Sequence, residues 1–364
     1  MKKFLKSEGG QSFIASILCI ILGLLIGYVV LLFIAPKGAS TAIGVIIKNF
    51  LYYPSSVARM KYFGNTLVKT APLLMCSLSI LFAYKVGLFN IGCSGQYTAG
   101  TCAALFLALG AGMPWWVCVI AAMVCGALLA AISGILKSYA NVNEVISGIM
   151  LNWIMLYSAN MILTKVKEST SPYTFTLSST NTGAVIPGLG LGKLFSNNAY
   201  ITIAVPLAIL IAVAIWVLLE KTTFGYELRA TGNNKNAAKY AGMNEKRNII
   251  VTMMIAGALA GLGGAFLYLT GFEQWQCTQS SVPAMGFNGI SAAFLGGLSP
   301  IGSIFSSFFI QHITAGGAYV DKSMYSAQIS DLITSVIIYL CGFVGFLKLM
   351  PKKAGDKKEG GAKK

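Results

Sequence analysis

Charged side chains are scarce in this chain of 364 residues: Asp, Glu, Lys and Arg together make up 10% of it, against about 25% in ordinary soluble domains. Five long stretches contain none of these four residue types, and they run from Gly9 to Pro36, Val86 to Leu136, Leu194 to Leu219, Asn248 to Phe272 and Gln274 to Val320. A helix needs about 20 apolar residues to cross a bilayer core, and backbone groups in lipid must bond internally. The sequence therefore excludes a soluble protein and predicts an all-α polytopic membrane protein.

Patterns for metal or covalent chemistry are also lacking. No two of the eight cysteines form a C-x-x-C pair, and His312 is the single histidine. The sequence offers no carboxylate pair or nucleophile–base set, and its glycine-rich segment 188–193 lacks the spacing and the Ser or Thr after Lys that a phosphate-binding loop needs. We therefore expect buried thiols, a packing role for His312, and no catalytic residue, metal or cofactor on this chain.

The formal net charge of +16 is typical of nucleic-acid-binding proteins when position is ignored. Here, however, the basic residues lie in the tails and in the loops between apolar stretches. In a membrane protein such residues set the orientation and contact anionic headgroups. We therefore expect a lipid membrane as the partner of these charges, and no nucleic acid.

Glycine and proline divide the uncharged stretches into helices, because both residues interrupt helical segments. Gly110, Gly112 and Pro114 split the second stretch, and residues 296–302 split the last. The first helix follows three lysines, as a signal peptide would, but its apolar part is too long for a cleaved signal, so we interpret it as retained. About ten transmembrane helices are predicted, at roughly residues 13–35, 66–84, 95–111, 115–136, 144–164, 199–219, 247–270, 285–298, 301–318 and 330–349.

Ten crossings place both ends of the chain on one side of the membrane, and that side carries the larger share of the 27 Lys and Arg residues. The positive-inside rule makes it the cytoplasmic side. The predicted organisation is a cytoplasmic tail (1–12), a transmembrane domain (13–350) and a Lys-rich cytoplasmic tail (351–364). The transmembrane domain is expected to include an interfacial helix near 43–63, a large external loop at 165–198 and a cytoplasmic loop at 220–246.

Residues 223–242 form a polar island between two apolar segments. Asn233 or Asn234 is suited to cap the start of a short helix here, and Gly242 to end it. Ala237, Ala238 and Ala241 would give this helix a smooth face that fits a partner's groove. The alternative interpretation is an ordinary cytoplasmic loop.

The segment Asn236-Ala237-Ala238-Lys239-Tyr240-Ala241-Gly242 resembles the E-A-A-x-x-x-G coupling motif of ABC importer permeases, with Asn in place of Glu. Further segments similar to the nucleoside and simple-sugar permeases (ribose-type, branched-chain-amino-acid-like) lie at 87–96, 143–152, 256–265 and 286–302, in the family's order. The resemblance covers about residues 66–348. The chain departs from the family where Cys93-Ser94 replaces the common Ala-Glu, and where Asn288 replaces a frequent Asp.

The resemblance implies a permease subunit that imports nucleosides across the plasma membrane of a bacterium. It implies three kinds of partner: separate cytoplasmic ABC ATPase subunits that use ATP and Mg, a second permease subunit that makes a heterodimer, and an extracellular substrate-binding lipoprotein. This chain would have a non-catalytic transport role. The residues expected to couple it to the ATPase are Gly225, Arg229, Gly232, Asn236, Ala237, Ala238 and Gly242.

A helix break at membrane depth is predicted at residues 89–96. Non-helical backbone is tolerated there only inside protein or beside a wet cavity, and broken helices often border transport pathways. Asn90 and Gln96 could bond ribose hydroxyls or a base edge while Phe89 stacks; alternatively, the two amides satisfy the broken backbone. The candidate pathway residues are Phe89, Asn90, Gln96, Glu144, Asn152, Trp153 and Asn288.

Three more of these candidates have a structural alternative. Glu144 begins a helix, where the macrodipole favours a carboxylate and where Asn141 or Asn143 can cap. Trp153 could equally pack against lipid or a neighbouring helix. The glycines around Asn288 suit close helix packing.

There are three alternative functions to nucleoside import. The first is import of ribose or another simple sugar. The second is a secondary transporter or channel that works without ATP, which would need ionisable residues at mid-membrane; the chain has few beyond Glu144. The third, a structural or assembly protein, leaves the helix break and the polar island without a role.

Overall fold

The computed structural model describes residues 8–321, 323–326 and 329–341. The predicted C-terminal tail (351–364) and much of the N-terminal tail lie outside these residues. Within them the chain is helical, and β-structure is limited to two isolated bridges. The prediction of an all-α fold is confirmed for these residues.

The main helices are α1 (Glu8–Ile34), α2 (Ala39–Lys48), α3 (Ser56–Lys85), α4 (Cys93–Leu109), α5 (Trp115–Ala140), α6 (Glu144–Leu163), α7 (Ala204–Lys221), α8 (Thr223–Asn233), α9 (Lys235–Tyr240), α10 (Glu245–Tyr268), α11 (Ala284–Leu295), α12 (Pro300–Gly316) and α13 (Ile329–Cys341). Each of the ten predicted helices overlaps one of them, and residues 342–349 of the last prediction lie outside the described residues. Within the described part of the chain, six helices are long and apolar enough to cross a membrane: α1, α3, α5, α6, α7 and α10. Helix α11 is a shorter apolar helix.

The predicted interfacial helix at 43–63 is wrong as a single element. Helix α2 ends at Lys48, and the backbone of Asn49 then adopts a positive φ of 46°. Helix α3 starts at Ser56 instead of residue 66, so the polar segment ahead of the apolar run is also helical. His312 fills the corner: its ring nitrogens lie 2.8 Å from the Ile47 carbonyl and 3.3 Å from the Asn49 amide nitrogen. The packing role predicted for His312 is confirmed.

Helices α3 and α10 form the centre of the bundle, since most of each is buried, whereas α1 and α6 are largely exposed. Small residues allow this close packing. A Cβ atom on Gly257 would lie 2.2 Å from the Gly126 carbonyl oxygen, and one on Gly100 would lie 2.4 Å from the Gly261 Cα. Such contacts let α10 approach α5 and α4 backbone to backbone, as small-residue helix pairs do in membranes.

One end of the bundle, here called the α8 end, gathers α8, α9 and the ends of the neighbouring helices. Ser138 of α5 donates to the Lys246 carbonyl of α10 (3.0 Å). Asn248 of α10 donates to the Thr231 hydroxyl of α8 (2.9 Å). Helix α8 therefore lies directly against the bundle.

The opposite end, here called the loop end, carries residues 164–203 and 269–283. Asn198 donates to the carbonyl of Lys61, near the start of α3 (2.9 Å). The Ile186 N–H donates to the Leu269 carbonyl, just after α10 (3.0 Å). Because α3 runs from this end to the α8 end in one helix of 30 residues, the two ends lie on opposite sides of the membrane-spanning bundle.

Candidate functional site

The predicted helix break lies between α3 and α4, at residues 86–92, and Gln96 falls in the first turn of α4. The side chains of Asn90 and Gln96 bond to each other twice: Asn90 Nδ2 donates to Gln96 Oε1 (2.8 Å) and Gln96 Nε2 donates to Asn90 Oδ1 (2.9 Å). Asn90 also donates to the Ser79 hydroxyl (3.0 Å), and both amides are buried. The two amides therefore satisfy most of each other's hydrogen-bonding capacity inside the protein.

Asn152 of α6 satisfies the broken backbone. Its Oδ1 accepts from the Gly95 N–H (2.7 Å), and its Nδ2 donates to the Ile91 carbonyl (3.0 Å). Gly95 allows this approach, since a Cβ atom there would lie 2.9 Å from the Asn152 Cα. Asn152, which is far from the break in the sequence, therefore bonds the broken backbone in the way that was considered for Asn90 and Gln96.

Glu144 also braces the break. It starts α6, where the Asn143 side chain accepts from the Val145 N–H (2.8 Å), and its carboxylate pairs with Lys137 of α5 (2.8 Å). The backbone of Phe89, in the break, lies near enough to this carboxylate to interact with it electrostatically. These contacts support the structural interpretation of Glu144 as the residue that ties α5 and α6 to the break.

This geometry leads to a test of Glu144. In Glu144→Gln the side chain keeps its shape but loses the charge that attracts Lys137, so we expect a loss of about 1 kcal/mol in unfolding free energy. Thermal unfolding of the detergent-solubilised protein measures it, and uptake should stay within about twofold of the unmodified rate. Unchanged stability together with lost uptake would instead place Glu144 in the transport pathway.

The other three pathway candidates make no side-chain hydrogen bond to the amide pair in the described part of the chain. Phe89 is half-buried, with its ring centroid 6.5 Å from that of Phe294. Trp153 is exposed on the outer side of α6 and stacks on Tyr157 at 6.1 Å. Asn288 is half-exposed on α11, and its side chain has no hydrogen-bond partner among the described residues.

A second non-helical segment, residues 269–283, meets the first break. Ser94 at the start of α4 donates to the Pro283 carbonyl just before α11 (3.1 Å). A Cβ atom on Gly286 would lie 2.5 Å from the Ser94 backbone nitrogen, so the starts of α4 and α11 touch inside the bundle. The sequence reasoning missed this junction, although Pro283 within an uncharged stretch was a usable signal. Paired half-helices of this kind are a feature of transport proteins.

The polar island folds as two helices at the α8 end. Thr222 caps α8 by accepting from the Gly225 N–H (3.0 Å), and Asn234 caps α9 by accepting from the Ala237 N–H (3.0 Å). Gly242 follows α9 with a positive φ of 82°. Of the two predicted caps, Asn233 and Asn234, the structure uses Asn234, and the prediction of Gly242 as the helix terminator is confirmed.

Three of the predicted coupling residues hold α8 against the bundle. A Cβ atom on Gly225 would lie 2.1 Å from the Leu218 carbonyl oxygen, and one on Gly232 would lie 2.6 Å from the Val86 carbonyl carbon. Arg229 pairs with Glu220 of α7 (2.6 Å). These contacts within the chain fix the position of α8 and, through it, of α9.

The remaining coupling residues lie on α9 or just after it. Asn236, Ala237 and Gly242 are exposed, whereas Ala238 is 3% exposed. The expected smooth face of Ala237, Ala238 and Ala241 is therefore wrong. Adjacent helical residues point about 100° apart, so Ala238 turns inward while Ala237 and Ala241, four residues apart, share the outer face.

The cysteines agree with the prediction of buried thiols. Cys19, Cys76, Cys93, Cys102, Cys118 and Cys277 are buried and unbridged. Cys125 is half-buried, and the side chain of Cys341 lies outside the described residues. Burial raises the pKa of the Cys277 thiol in the loop after α10, which keeps it protonated and unreactive.

The chain is similar to known permeases over most of its length. A family model described as the branched-chain amino acid transport system, permease component, matches residues 62–342. The nucleoside ABC transporter permease protein NupB of Lactococcus lactis subsp. cremoris is 34% identical, over 82% of this chain and 84% of that protein. The guanosine ABC transporter permease proteins NupP and NupQ of Bacillus subtilis are 31% and 28% identical, over 88% and 78% of this chain and 90% of each protein.

No solved structure matches the chain significantly. The family match nevertheless spans the helices from α3 to the last described helix, α13, including the break, the junction of α4 and α11, and α8–α9. The chain therefore belongs to this family of ABC transporter permease components, and it is a multi-pass protein of the plasma membrane.

Proposed function

We propose that this chain is the permease subunit of an ATP-driven importer of nucleosides. The observation that carries the proposal is α9, a capped and exposed helix that α8 holds at one end of the bundle. A rigid exposed helix at the end of a permease is suited to receive movement from another subunit. The names of NupB, for nucleosides, and of NupP, for guanosine, support nucleosides as the cargo.

The proposal includes a membrane arrangement. Ten crossings with both termini in the cytoplasm would place the α8 end inside the cell and the loop end outside. Residues 1–12 and 351–364 would then flank the transmembrane domain (13–350) as cytoplasmic tails. The excess of Lys and Arg on the inner side supports this orientation.

The partners follow from this arrangement. Cytoplasmic ATPases, which would use ATP and Mg, would dock on α9 at Asn236, Ala237 and Gly242. Ala238 would hold α9 against the bundle from its inner side. Bacillus subtilis has two different guanosine permeases, NupP and NupQ, which supports a heterodimer of permeases here. An extracellular lipoprotein would deliver cargo to the loop end, near residues 165–198.

Within the pathway, we assign different parts to the candidate residues. Asn90, Gln96, Asn152 and Glu144 would hold the break in shape, while Phe89 and Asn288 would present side chains to passing cargo. Trp153 would contact lipid or the second permease. A neutral cargo suits this interior, because the uncharged stretches supply most of it.

Competition for uptake tests the function. In cells that carry the complete transporter and lack other nucleoside uptake, unlabelled nucleosides should abolish uptake of labelled guanosine, and a large excess of ribose should leave it unchanged. Removal of the ATPase should stop uptake. Uptake that ribose or glucose blocks would assign a sugar importer instead, and uptake that persists without the ATPase would assign a secondary transporter.

A further inference from the structure

A polar cavity of about 320 Å³ opens at the loop end of the bundle. This volume falls at the lower limit of the range of about 300–1,000 Å³ that small-molecule sites occupy. None of the pathway residues predicted from sequence lines it. Its walls are Tyr173, Tyr268, Glu273, Gln274, Gln276 and Gln279.

Two loop segments give the cavity a braced wall. The Thr174 N–H donates to the Trp275 carbonyl (3.0 Å), and the Cys277 N–H donates to the Pro172 carbonyl (2.9 Å). Behind them, the indole N–H of buried Trp275 donates to Asn160 (3.0 Å). Side chains on such a wall are held in place before a ligand arrives, and this preorganisation lowers the entropy cost of binding.

The amide nitrogen of Gln279 is an unsatisfied donor in this wall. Its Nε2 atom is buried and has no hydrogen-bond partner among the described residues, although an unpaired buried donor is costly. Gln274, by contrast, already donates from Nε2 to the Thr174 carbonyl (2.8 Å) and the Thr176 hydroxyl (3.0 Å). Rotation of this side chain toward a ligand with a hydrogen-bond acceptor in the cavity would remove the cost at Gln279.

The charge balance of the cavity favours a neutral ligand. The Glu273 carboxylate is 2.6 Å from the Lys69 ammonium group, so the two charges compensate each other. The remaining lining groups are amides and phenols, which are neutral near pH 7. An anionic or cationic ligand would have to break the ion pair or stay unpaired.

Aromatic rings complete the cavity. Tyr268 is held between Tyr97 and Trp275, with ring centroids 6.4 and 5.8 Å away. Tyr173 is 40% exposed and lies on the neighbouring loop segment. Aromatic faces stack on nucleobases, and amides pair with base edges and hydroxyl groups.

We propose that this cavity is an outer recognition site that binds a nucleoside before it enters the helix break. Gln276 and Gln279 bond its base edge or ribose hydroxyls, and Tyr173 or Tyr268 supports its base. The proposal rests on the proposed nucleoside import. It places cargo selection on residues 268–279, ahead of the amide pair of Asn90 and Gln96.

Uptake kinetics with labelled guanosine test the site, in cells with the complete transporter and with permease abundance measured in the membrane. Loss of one hydrogen bond predicts a KM about fivefold to tenfold higher for Gln279→Leu or Gln276→Leu, with the maximal rate within about twofold. The order in which adenosine, guanosine and uridine compete should also change. Ser280→Ala, an exposed neighbour outside the cavity, should alter neither value.

A second variant covers the case in which the leucine variants fail to accumulate. Gln279→Glu keeps the side-chain shape and replaces the Nε2 donor with an acceptor oxygen, so the same rise in KM is expected. Unchanged KM and competition order in variants of normal abundance would overturn the outer site while nucleoside import stands. Absence of nucleoside uptake by the unmodified transporter would instead overturn the proposed function.

Discussion

Replacement of Asn152 by leucine is expected to lower the unfolding free energy by about 2–6 kcal/mol. The reason is that the Gly95 N–H and the Ile91 carbonyl would both lose their side-chain partner, and each unsatisfied buried group costs about 1–3 kcal/mol. The bilayer offers no water to replace the amide. Denaturation of the purified permease in detergent and its abundance in membranes both measure the loss.

A matched control lies on the same helix. Met150 is exposed on α6, so Met150→Leu should change the unfolding free energy by no more than about 0.5 kcal/mol. A stable Asn152→Leu protein with a raised KM for nucleosides would contradict the structural role. That result would indicate that Asn152 contacts the transported nucleoside.

Introduction of a large charged side chain at Ala237 is expected to reduce uptake at least about tenfold without reducing permease abundance. Ala237 lies on the exposed side of α9, so arginine fits the permease alone but would obstruct a subunit docked on that side. Co-purification of the ATPase should fall together with uptake. The measurement pairs transport of labelled guanosine with the amount of ATPase that an affinity-tagged permease retains.

Two other variants separate docking from folding. Ala140→Arg places the same side chain on an exposed alanine at the end of α5, also at the α8 end, and should leave uptake and ATPase retention unchanged. Gly232→Arg should instead reduce permease abundance, because Gly232 packs on the backbone of Lys85 and Val86. Normal uptake and ATPase retention by Ala237→Arg would rule out docking on this face of α9.

The parts of the candidate site that the sequence predicted well are local. Asn234 and Gly242 were recognisable because a cap or a terminator acts on backbone within a few residues of itself. The inward turn of Ala238 was not recognisable, since Ala237 and Ala238 have the same chemistry. Which of them faces the bundle depends on how α8 is held, and glycine contacts with distant backbone decide that.

The hydrogen-bond partners of the buried amides could also not be predicted from the sequence. The sequence placed Asn90, Gln96 and Asn152 in one candidate site, and the structure brings them together around the break. The sequence did not indicate that Asn90 and Gln96 pair with each other while Asn152 bonds the backbone. A buried amide must find a partner, but the available partners depend on which helices touch.

The sequence by itself determined the membrane class, the order of the helices and the position of the polar island, because charge-free runs, glycine and proline breaks and caps act over short distances along the chain. Only the tertiary structure decided that α4 and α11 begin side by side, and that Gln276 and Gln279 line a cavity facing Tyr173. The contact between Ser94 and Pro283 spans 189 positions of sequence. Such contacts form only when small residues let distant helices approach, and that approach is a property of the packed bundle as a whole.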